Sequence, residues 1–145
     1  RDAQESRGLG DVYKRQDLDR VVLEKAHIGL YDEKSLKGLP KEYITKYFTK
    51  VGTKSYQISD DIKKCVEFKQ HNLLKDSYPS DCNMIICRNV MIYFTEEAKA
   101  EIYKKFNASL KSDGILFVGS TEQIISPGDS GFSTYKSFFY KKAAR

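Results

Sequence analysis

The 145-residue sequence has no tryptophan, only three prolines, two methionines and three cysteines, and no long apolar run. A helix needs about 20 consecutive apolar residues to span a bilayer, so no membrane insertion is predicted, and the start shows no signal-peptide pattern. The cysteines are odd in number and lack the spacing of metal ligands, so no metal site is predicted. This cysteine usage is typical of a reducing compartment, and we expect a cytoplasmic protein.

The composition, 40% hydrophobic and 31% charged, is that of a folded globular domain. The net charge of +5 is modest, and the lysines are spread along the chain. Basic and aromatic residues are not clustered as they are on nucleic-acid-binding surfaces, so no nucleic-acid partner is predicted.

Residues 1–16 are polar, show no period and share no pattern with the rest of the chain. Within them, the string GLGDVYKRQ resembles translated adapter sequence. We therefore predict a non-native or disordered leader at 1–16, the alternative being a natural flexible arm. The chain begins at Arg1 without a methionine, and we expect it to be incomplete at this end.

Helical and strand patterns alternate from residue 17 onward. Strands separated by helices predict parallel βαβ units, and the short turn before the last strand predicts an antiparallel end. The predicted helices are 19–28, 40–52, 60–64 and 96–111, and the predicted strands are 56–58, 66–70, 83–87, 115–118 and 135–141. The apolar run at 83–87 is typical of a strand buried on both faces of a sheet.

Polar residues follow three positions where strands are expected to end: Asp17, Asn72 and the pair Arg88-Asn89. In an open α/β sheet such ends converge on one ligand-binding crevice. Asp17 would accept hydrogen bonds there from the two hydroxyls of a ribose, or it would cap a helix. The position of Asp17 alone favours neither role. Asn72 suits an adenine edge, but from the residues alone a turn is favoured.

Two further residues of this region have alternative interpretations. Arg88 would make a planar contact to a carboxylate or belong to a structural ion pair. Tyr93 follows the buried strand and precedes a capped helix, so we expect it on the crevice floor. Core packing is its alternative, and the phenolic oxygen, which needs a partner when buried, favours function.

Several motifs resemble, in order, those of the chemotaxis-receptor protein-glutamate O-methyltransferases (CheR-type). The block ICRNVMIYF at 86–94 carries the most specific likeness. The others are DLDRVVLEKAHIGLY at 17–31, SLKGLPKEYITKYF at 35–48, HNLL at 71–74 and SDGILFVGSTE at 112–122.

The resemblance implies an α/β fold of the class I S-adenosylmethionine-dependent methyltransferases, Rossmann-like and mostly parallel with an antiparallel C-terminal strand. Residues 17–145 would be the C-terminal part of that domain, truncated at its N-terminus, with a small inserted subdomain at about 31–59. The cofactor would be S-adenosyl-L-methionine. By position, the family's cofactor-binding residues would be Asp17 at the ribose, Asn72 and Leu73 at the adenine, and Arg88 and Asn89 beside the methionine. Tyr93, next to the reactive methyl, and Arg88 would be the catalytic residues.

The implied reaction is methyl transfer to glutamate side chains of chemoreceptors. The partner would be the cytoplasmic domain of a methyl-accepting chemoreceptor, and the enzyme would act as a monomer. Two alternatives stay open: a methyltransferase for another acidic substrate, and a non-catalytic methyltransferase-like signalling module.

The sequence also departs from the family pattern. From the resemblance we expect this chain to lack the N-terminal helical domain, the glycine loop and the first two strands, which belong between the strands at 66–70 and 83–87. We therefore expect the isolated fragment to bind cofactor poorly and to be inactive. Ser120 stands where the family has histidine, which keeps the non-catalytic alternative open. Gly52 is the only glycine between residues 48 and 58, so no grip on a receptor's tail peptide is predicted.

Overall fold

The protein is described by a computed structural model that covers the backbone of residues 13–17 and residues 19–144. Strands and helices alternate along most of this length. The strands are β1 (Tyr13–Asp17), β2 (Leu30–Asp32), β3 (Phe48–Val51), β4 (Ser55–Ile58), β5 (Val66–Gln70), β6 (Cys82–Cys87), β7 (Leu110–Val118), β8 (Phe132–Lys136) and β9 (Phe139–Lys142). The helices are α1 (Arg20–Ile28), α2 (Lys41–Tyr47), α3 (Asp60–Lys63) and α4 (Glu96–Ser109), with 3-10 turns at Lys34–Leu36, Met91–Tyr93 and Pro127–Ser130.

The described chain forms two compact units, Tyr13–His71 and the residues from Asn72 onward. In the first unit β1 and β5 lie parallel, with Tyr13 opposite Val66 and Asp17 opposite Gln70. Helix α1 connects β1 to the rest of this unit and packs on β5 through an edge-to-face contact of His27 and Phe68 at 4.9 Å.

Local signals in the sequence account for both ends of α1. The Asp19 carboxylate accepts hydrogen bonds from the amides of Val21 (2.8 Å) and Val22 (3.4 Å), which satisfies two N-terminal donors. Gly29 ends the helix with a left-handed φ of 69°. A Cβ at that position would lie 2.6 Å from Ile58 Cγ2, so only glycine fits there. The predicted helix at 19–28 is thus found within one residue.

The strand β1 corrects two expectations. Residues 13–16, assigned from the sequence to the leader, belong to a strand that pairs with β5. Residues 1–12 lie outside the described residues. One strand that we expected to be missing beside β5 is therefore present. The sequence YKRQ is polar and shows no strand pattern, and it forms a strand because its backbone groups pair with those of β5.

An antiparallel three-stranded sheet of order β2-β4-β3 completes the first unit. Only β4 was predicted as a strand. Phe48, expected to extend the helical face of α2, begins β3, and its ring contacts Tyr31 edge-on at 5.9 Å. Gly52, with a φ of 69°, lies in the tight turn between β3 and β4. The strands β2 and β3 were missed because each is only three or four residues long and lacks clear alternation.

The second unit is built on a four-stranded sheet of order β6-β7-β9-β8. Strands β6 and β7 are parallel, with Cys87 opposite Val118, and β9 is antiparallel to β7, as predicted. Helix α4 connects β6 to β7 and begins at Thr95, whose hydroxyl accepts from the Ala98 amide at 3.2 Å. The element order β6-α4-β7 is the expected parallel βαβ unit.

Helix α4 buries one apolar face against one face of this sheet. Ile102, Leu116 and Val118 are fully buried at the centre of the contact. Side chains alternate across a strand, so the neighbouring residues Ile86 and Phe117 lie on the opposite face. The remaining buried members of the cluster are Cys82, Cys87, Met91, Tyr103, Phe106, Leu110, Phe132 and Tyr140.

Three predictions in the second unit were wrong in detail. Strand β6 is not buried on both faces, because it is an edge strand of the described sheet and Ile86 is 57% exposed. Helix α4 ends at Ser109 rather than 111, since buried Leu110 already has an extended backbone. The predicted closing strand 135–141 is a hairpin of β8 and β9, with Phe138 in the left-handed region at a φ of 67°.

Candidate functional site

The CRNV block forms a loop directly after β6, which we call the β6 loop and define as residues 88–93. It lies at the carboxyl end of the parallel pair of β6 and β7. Asn89 in this loop has a left-handed φ of 60°, a conformation that asparagine tolerates better than most residues. The loop closes in the 3-10 turn Met91–Tyr93, and Met91 is buried in the core. The carboxyl end of a parallel strand is where α/β sheets bind ligands.

A single carboxylate holds the backbone of the β6 loop. Glu122, 5% exposed, lies in the turn after β7, where its own amide donates to the Gly119 carbonyl at 3.0 Å. Its Oε2 accepts hydrogen bonds from the amides of Val90 (3.1 Å) and Met91 (2.6 Å). Its Oε1 accepts from the amides of Asn89 and of Gly119, the latter at 3.2 Å. Four backbone donors thus match the roughly four lone-pair sites of an ionised carboxylate.

Gly119 makes room for this carboxylate. A Cβ built at Gly119 would overlap Glu122 Oε1 and lie 2.8 Å from Asn89 Oδ1 and 3.2 Å from the Asn89 amide nitrogen. Glycine is therefore required at position 119 because the neighbouring groups lie too close to leave room for a Cβ. The turns after β6 and β7 are joined through this contact.

The Arg88 guanidinium lies over the face of Phe117, 4.6 Å from the ring centroid. Phe117 in turn stacks on Phe139 with centroids 4.3 Å apart and an interplanar angle of 4°. This three-layered stack lies on the sheet face opposite α4, and Arg88 remains exposed. The face of the Phe117 ring attracts the guanidinium cation, and this contact holds Arg88 near the carboxyl end of β6.

Tyr93 is 82% exposed, so its ring does not pack in the core. The 3-10 turn directs Met91 inward and leaves the tyrosine outside. The position of Tyr93 on a crevice floor stays a prediction. The core-packing alternative is excluded by the exposure of the ring. Its exposed neighbours in the loop are Val90 and Ile92.

Asn72 and Leu73 begin the second unit and already have structural partners. Asn72 Oδ1 accepts from the amides of Leu74 (3.0 Å) and Lys75 (3.2 Å), which is the turn role that the residues alone favoured. Leu73 packs against the core cluster, and its carbonyl accepts from the Tyr78 hydroxyl at 2.6 Å. Neither of these contacts uses the NH2 group of the Asn72 side chain, which can donate two hydrogen bonds.

Asp17 is the last residue of β1 and pairs with Gln70, the last residue of β5. It therefore occupies the carboxyl end of a parallel pair, the position from which its function was inferred, and its side chain lies outside the described residues. Helix α1 is capped by the carboxylate of Asp19, two residues later.

Two titratable groups near Glu122 are unsuited to catalysis at neutral pH. Burial, and to a smaller extent the negative charge of Glu122, together raise the pKa of the Cys87 thiol to about 12. Burial and the same carboxylate raise the pKa of the Tyr103 hydroxyl, which donates to the Glu122 carbonyl at 3.5 Å. Cys87 is thus a protonated core residue, and neither group supplies a nucleophile or a base.

Residues of this region that the sequence did not single out are Glu122, Gly119 and Phe117. Glu122 closes the string GSTE, but nothing in that string indicates that its partners are backbone amides some 30 residues earlier. Ser120, the departure from the family motif that the sequence showed, is exposed.

Parallel strand ends that carry exposed polar loops define a ligand-binding domain of the α/β class. The model of one family, the CheR methyltransferase SAM-binding domain, matches residues 13–138. The chain belongs to this family. This confirms the family predicted from the motifs, its α/β methyltransferase fold class and S-adenosylmethionine as the cofactor of this domain.

Curated relatives agree with the family. The chain is 40% identical over 126 residues to the chemotaxis protein methyltransferase of Listeria innocua, covering 87% of this chain and 48% of that protein. It is 38% identical over 112 residues to the chemotaxis protein methyltransferase of Escherichia coli K12, covering 73% and 39%. The chain thus spans about half or less of the length of these relatives. A solved structure of PKMT2 from Rickettsia typhi in complex with AdoHcy is 21% identical, with a TM-score of 0.45 and coverage of 74% and 16%.

Proposed function

We propose that this chain is part of an S-adenosylmethionine-dependent protein-glutamate O-methyltransferase that modifies chemoreceptors during chemotactic adaptation. The observation that carries the proposal is the β6 loop: the family's most specific motif forms a fixed loop at the carboxyl end of a parallel strand. Arg88 and Tyr93 are both exposed there. The relatives named as chemotaxis protein methyltransferases support the reaction class.

The residues present fit a ligand that has both a cationic centre and a carboxylate. The loop presents an exposed aromatic ring, an exposed guanidinium and an asparagine on a backbone that Glu122 holds. Arg88 and Asn89 would hold the methionine part, and Tyr93 would lie beside the sulfonium. Asn72, Leu73 and Asp17 would hold the adenosine part. An aromatic ring near a sulfonium contributes about 0.5–2 kcal/mol by cation–π attraction.

S-adenosylmethionine, when bound, supplies an electrophilic methyl group. The accepting glutamate, with an ordinary pKa of about 4.3, is ionised at neutral pH, so this chain needs no general base. Its task is to orient the incoming carboxylate and exclude water, and such positioning supplies roughly 7–11 kcal/mol in favourable cases. Arg88 suits the orienting role because a guanidinium matches the two oxygens of a carboxylate.

The accepting partner would be the cytoplasmic domain of a methyl-accepting chemoreceptor, which places the reaction in the cytoplasm. No helix in the described part of the chain is long and apolar enough to cross a bilayer. The exposed lysines of this +5 chain would favour an acidic partner, though charge alone does not select one.

The test is methyl transfer from tritiated S-adenosylmethionine by the natural protein at its full length. We expect label on the receptor domain that alkali releases as methanol, as a methyl ester requires. Label on a different acidic protein instead would favour the second candidate substrate class. Tight S-adenosylhomocysteine binding without any transfer would favour the non-catalytic module that Ser120 keeps open. Binding that is absent, or does not depend on Asp17, would contradict the proposal.

A further inference from the structure

Within the β6 loop, three consecutive amides point at one side chain that comes from a different part of the chain. The donors are Asn89, Val90 and Met91, and the acceptor is the Glu122 carboxylate. Consecutive amides around a left-handed residue, here Asn89, form a concave anion-binding arrangement of the backbone. Here the chain fills that concavity with its own carboxylate.

We propose that Glu122 is a positioning residue for cofactor binding, which it serves by fixing the β6 loop from inside the protein. Glu122 is buried and lies under the loop, whereas Arg88 and Tyr93, the residues assigned to the ligand, are exposed. The side chain therefore acts through the backbone of Asn89, Val90 and Met91. The part of the inference that concerns cofactor rests on the proposed function; the part that concerns the loop does not.

The chemistry of a carboxylate is essential to this role. All four of its partners are N–H donors, the three loop amides and Gly119. Glutamine has the same shape, but it offers one oxygen and two N–H donors. In Glu122→Gln one pair of backbone amides must therefore face another donor. Glu122→Asp keeps the charge and shortens the reach by one methylene, so it should retain part of the network.

The first measurement needs no ligand and uses the 145-residue chain. Amide hydrogen exchange by NMR reports each loop hydrogen bond separately. In Glu122→Gln we expect exchange at Val90 and Met91 to accelerate about 10- to 100-fold, the range set by charge-assisted bonds. The acceleration should be smaller in Glu122→Asp. Glu97→Gln on the exposed start of α4 is the matched control and should change neither amide.

The second measurement separates positioning from general stability. Affinity for S-adenosylhomocysteine is compared, in the natural protein at its full length, between wild type, Glu122→Gln and Ile102→Ala, a variant of the fully buried core residue on α4. We expect a loss of about tenfold or more in Glu122→Gln, and a loss of less than about threefold in Ile102→Ala even at an equal or larger drop in stability. Partial recovery in Glu122→Asp would support the inference.

Two results would overturn it. One is unchanged exchange at Val90 and Met91 in Glu122→Gln; the other is an equal loss of affinity in Glu122→Gln and Ile102→Ala, which would make Glu122 an ordinary structural residue. Should the wild-type protein at its natural full length bind no S-adenosylhomocysteine, the proposed function fails. The role of Glu122 in the loop is then decided by the exchange experiment alone.

Discussion

Replacing Gly119 by alanine offers a sharp test of how the turns after β6 and β7 are joined. The added Cβ would overlap Glu122 Oε1 and lie 2.8 Å from Asn89 Oδ1. The carboxylate has no easy way to move, because four backbone amides hold it. Its displacement breaks at least one charge-assisted hydrogen bond, each worth about 1.5–3 kcal/mol. We therefore expect Gly119→Ala to lower the free energy of unfolding by roughly 2–4 kcal/mol.

The assay is urea unfolding of the second unit, followed through the amide cross-peaks of α4 so that the first unit does not contribute to the signal. Gly128→Ala is the matched control, since nothing lies within 4 Å of a Cβ built at Gly128. It should change stability by less than about 0.5 kcal/mol.

A second substitution tests whether the clash is with Glu122 itself. Glu122→Asp withdraws the carboxylate by one methylene, so the double variant Gly119→Ala/Glu122→Asp should be more stable than the sum of the single effects by about 1 kcal/mol. Equal effects of Gly119→Ala and Gly128→Ala, or strict additivity in the double variant, would refute the reasoning.

Three further predictions concern neighbouring groups. Phe117→Leu removes the ring between Arg88 and Phe139, which should cost roughly 1–2.5 kcal/mol in urea unfolding, while a cost below about 0.5 kcal/mol would show that the stack is incidental. Tyr93→Phe should change the free energy of unfolding by less than about 0.5 kcal/mol, because the ring is 82% exposed. In the full-length protein it should reduce turnover more than cofactor affinity. Equal losses of turnover and affinity would show that the tyrosine is structural. Because burial raises the pKa of Cys87 from 9.0 to about 12, the folded state keeps a proton that the unfolded state loses. Stability should therefore fall as the pH rises between these values, and Cys87→Ala should remove that part of the pH dependence.

Features with a local cause were predictable from the sequence. Helix α1 has its cap, Asp19, and its stop, Gly29, next to the apolar residues that they enclose. Strand β6 is apolar over most of its length and is followed at once by Arg88. Local patterns do not indicate the chemistry of the β6 loop, which was predicted from the family motifs.

Features that depend on a distant partner were missed. The hairpin of β8 and β9 turns at Phe138, a bulky residue with positive φ, and no glycine or asparagine marks it. Strand β1 is polar and becomes a strand through its pairing with β5. Glu122 is an acid that ordinary patterns place on the surface, and it is buried because loop amides far away in sequence replace its water.

The exposure of Tyr93 and Ile86 was likewise beyond prediction from the sequence. A periodic pattern identifies the apolar face of a helix or strand, but it does not show whether another element covers that face. Helix α4 covers one face of the sheet, and within the described residues Ile86 on the opposite face is 57% exposed.

The most direct test of the account is an NMR titration of the isotope-labelled chain with S-adenosylhomocysteine up to millimolar concentration, where even weak binding is seen. We expect chemical-shift changes in the amides of the β6 loop and at Gly119, Asn72 and Asp17, with little change in α2 and β3. Saturable binding that leaves the β6 loop unperturbed would contradict the claim that this loop is the cofactor site.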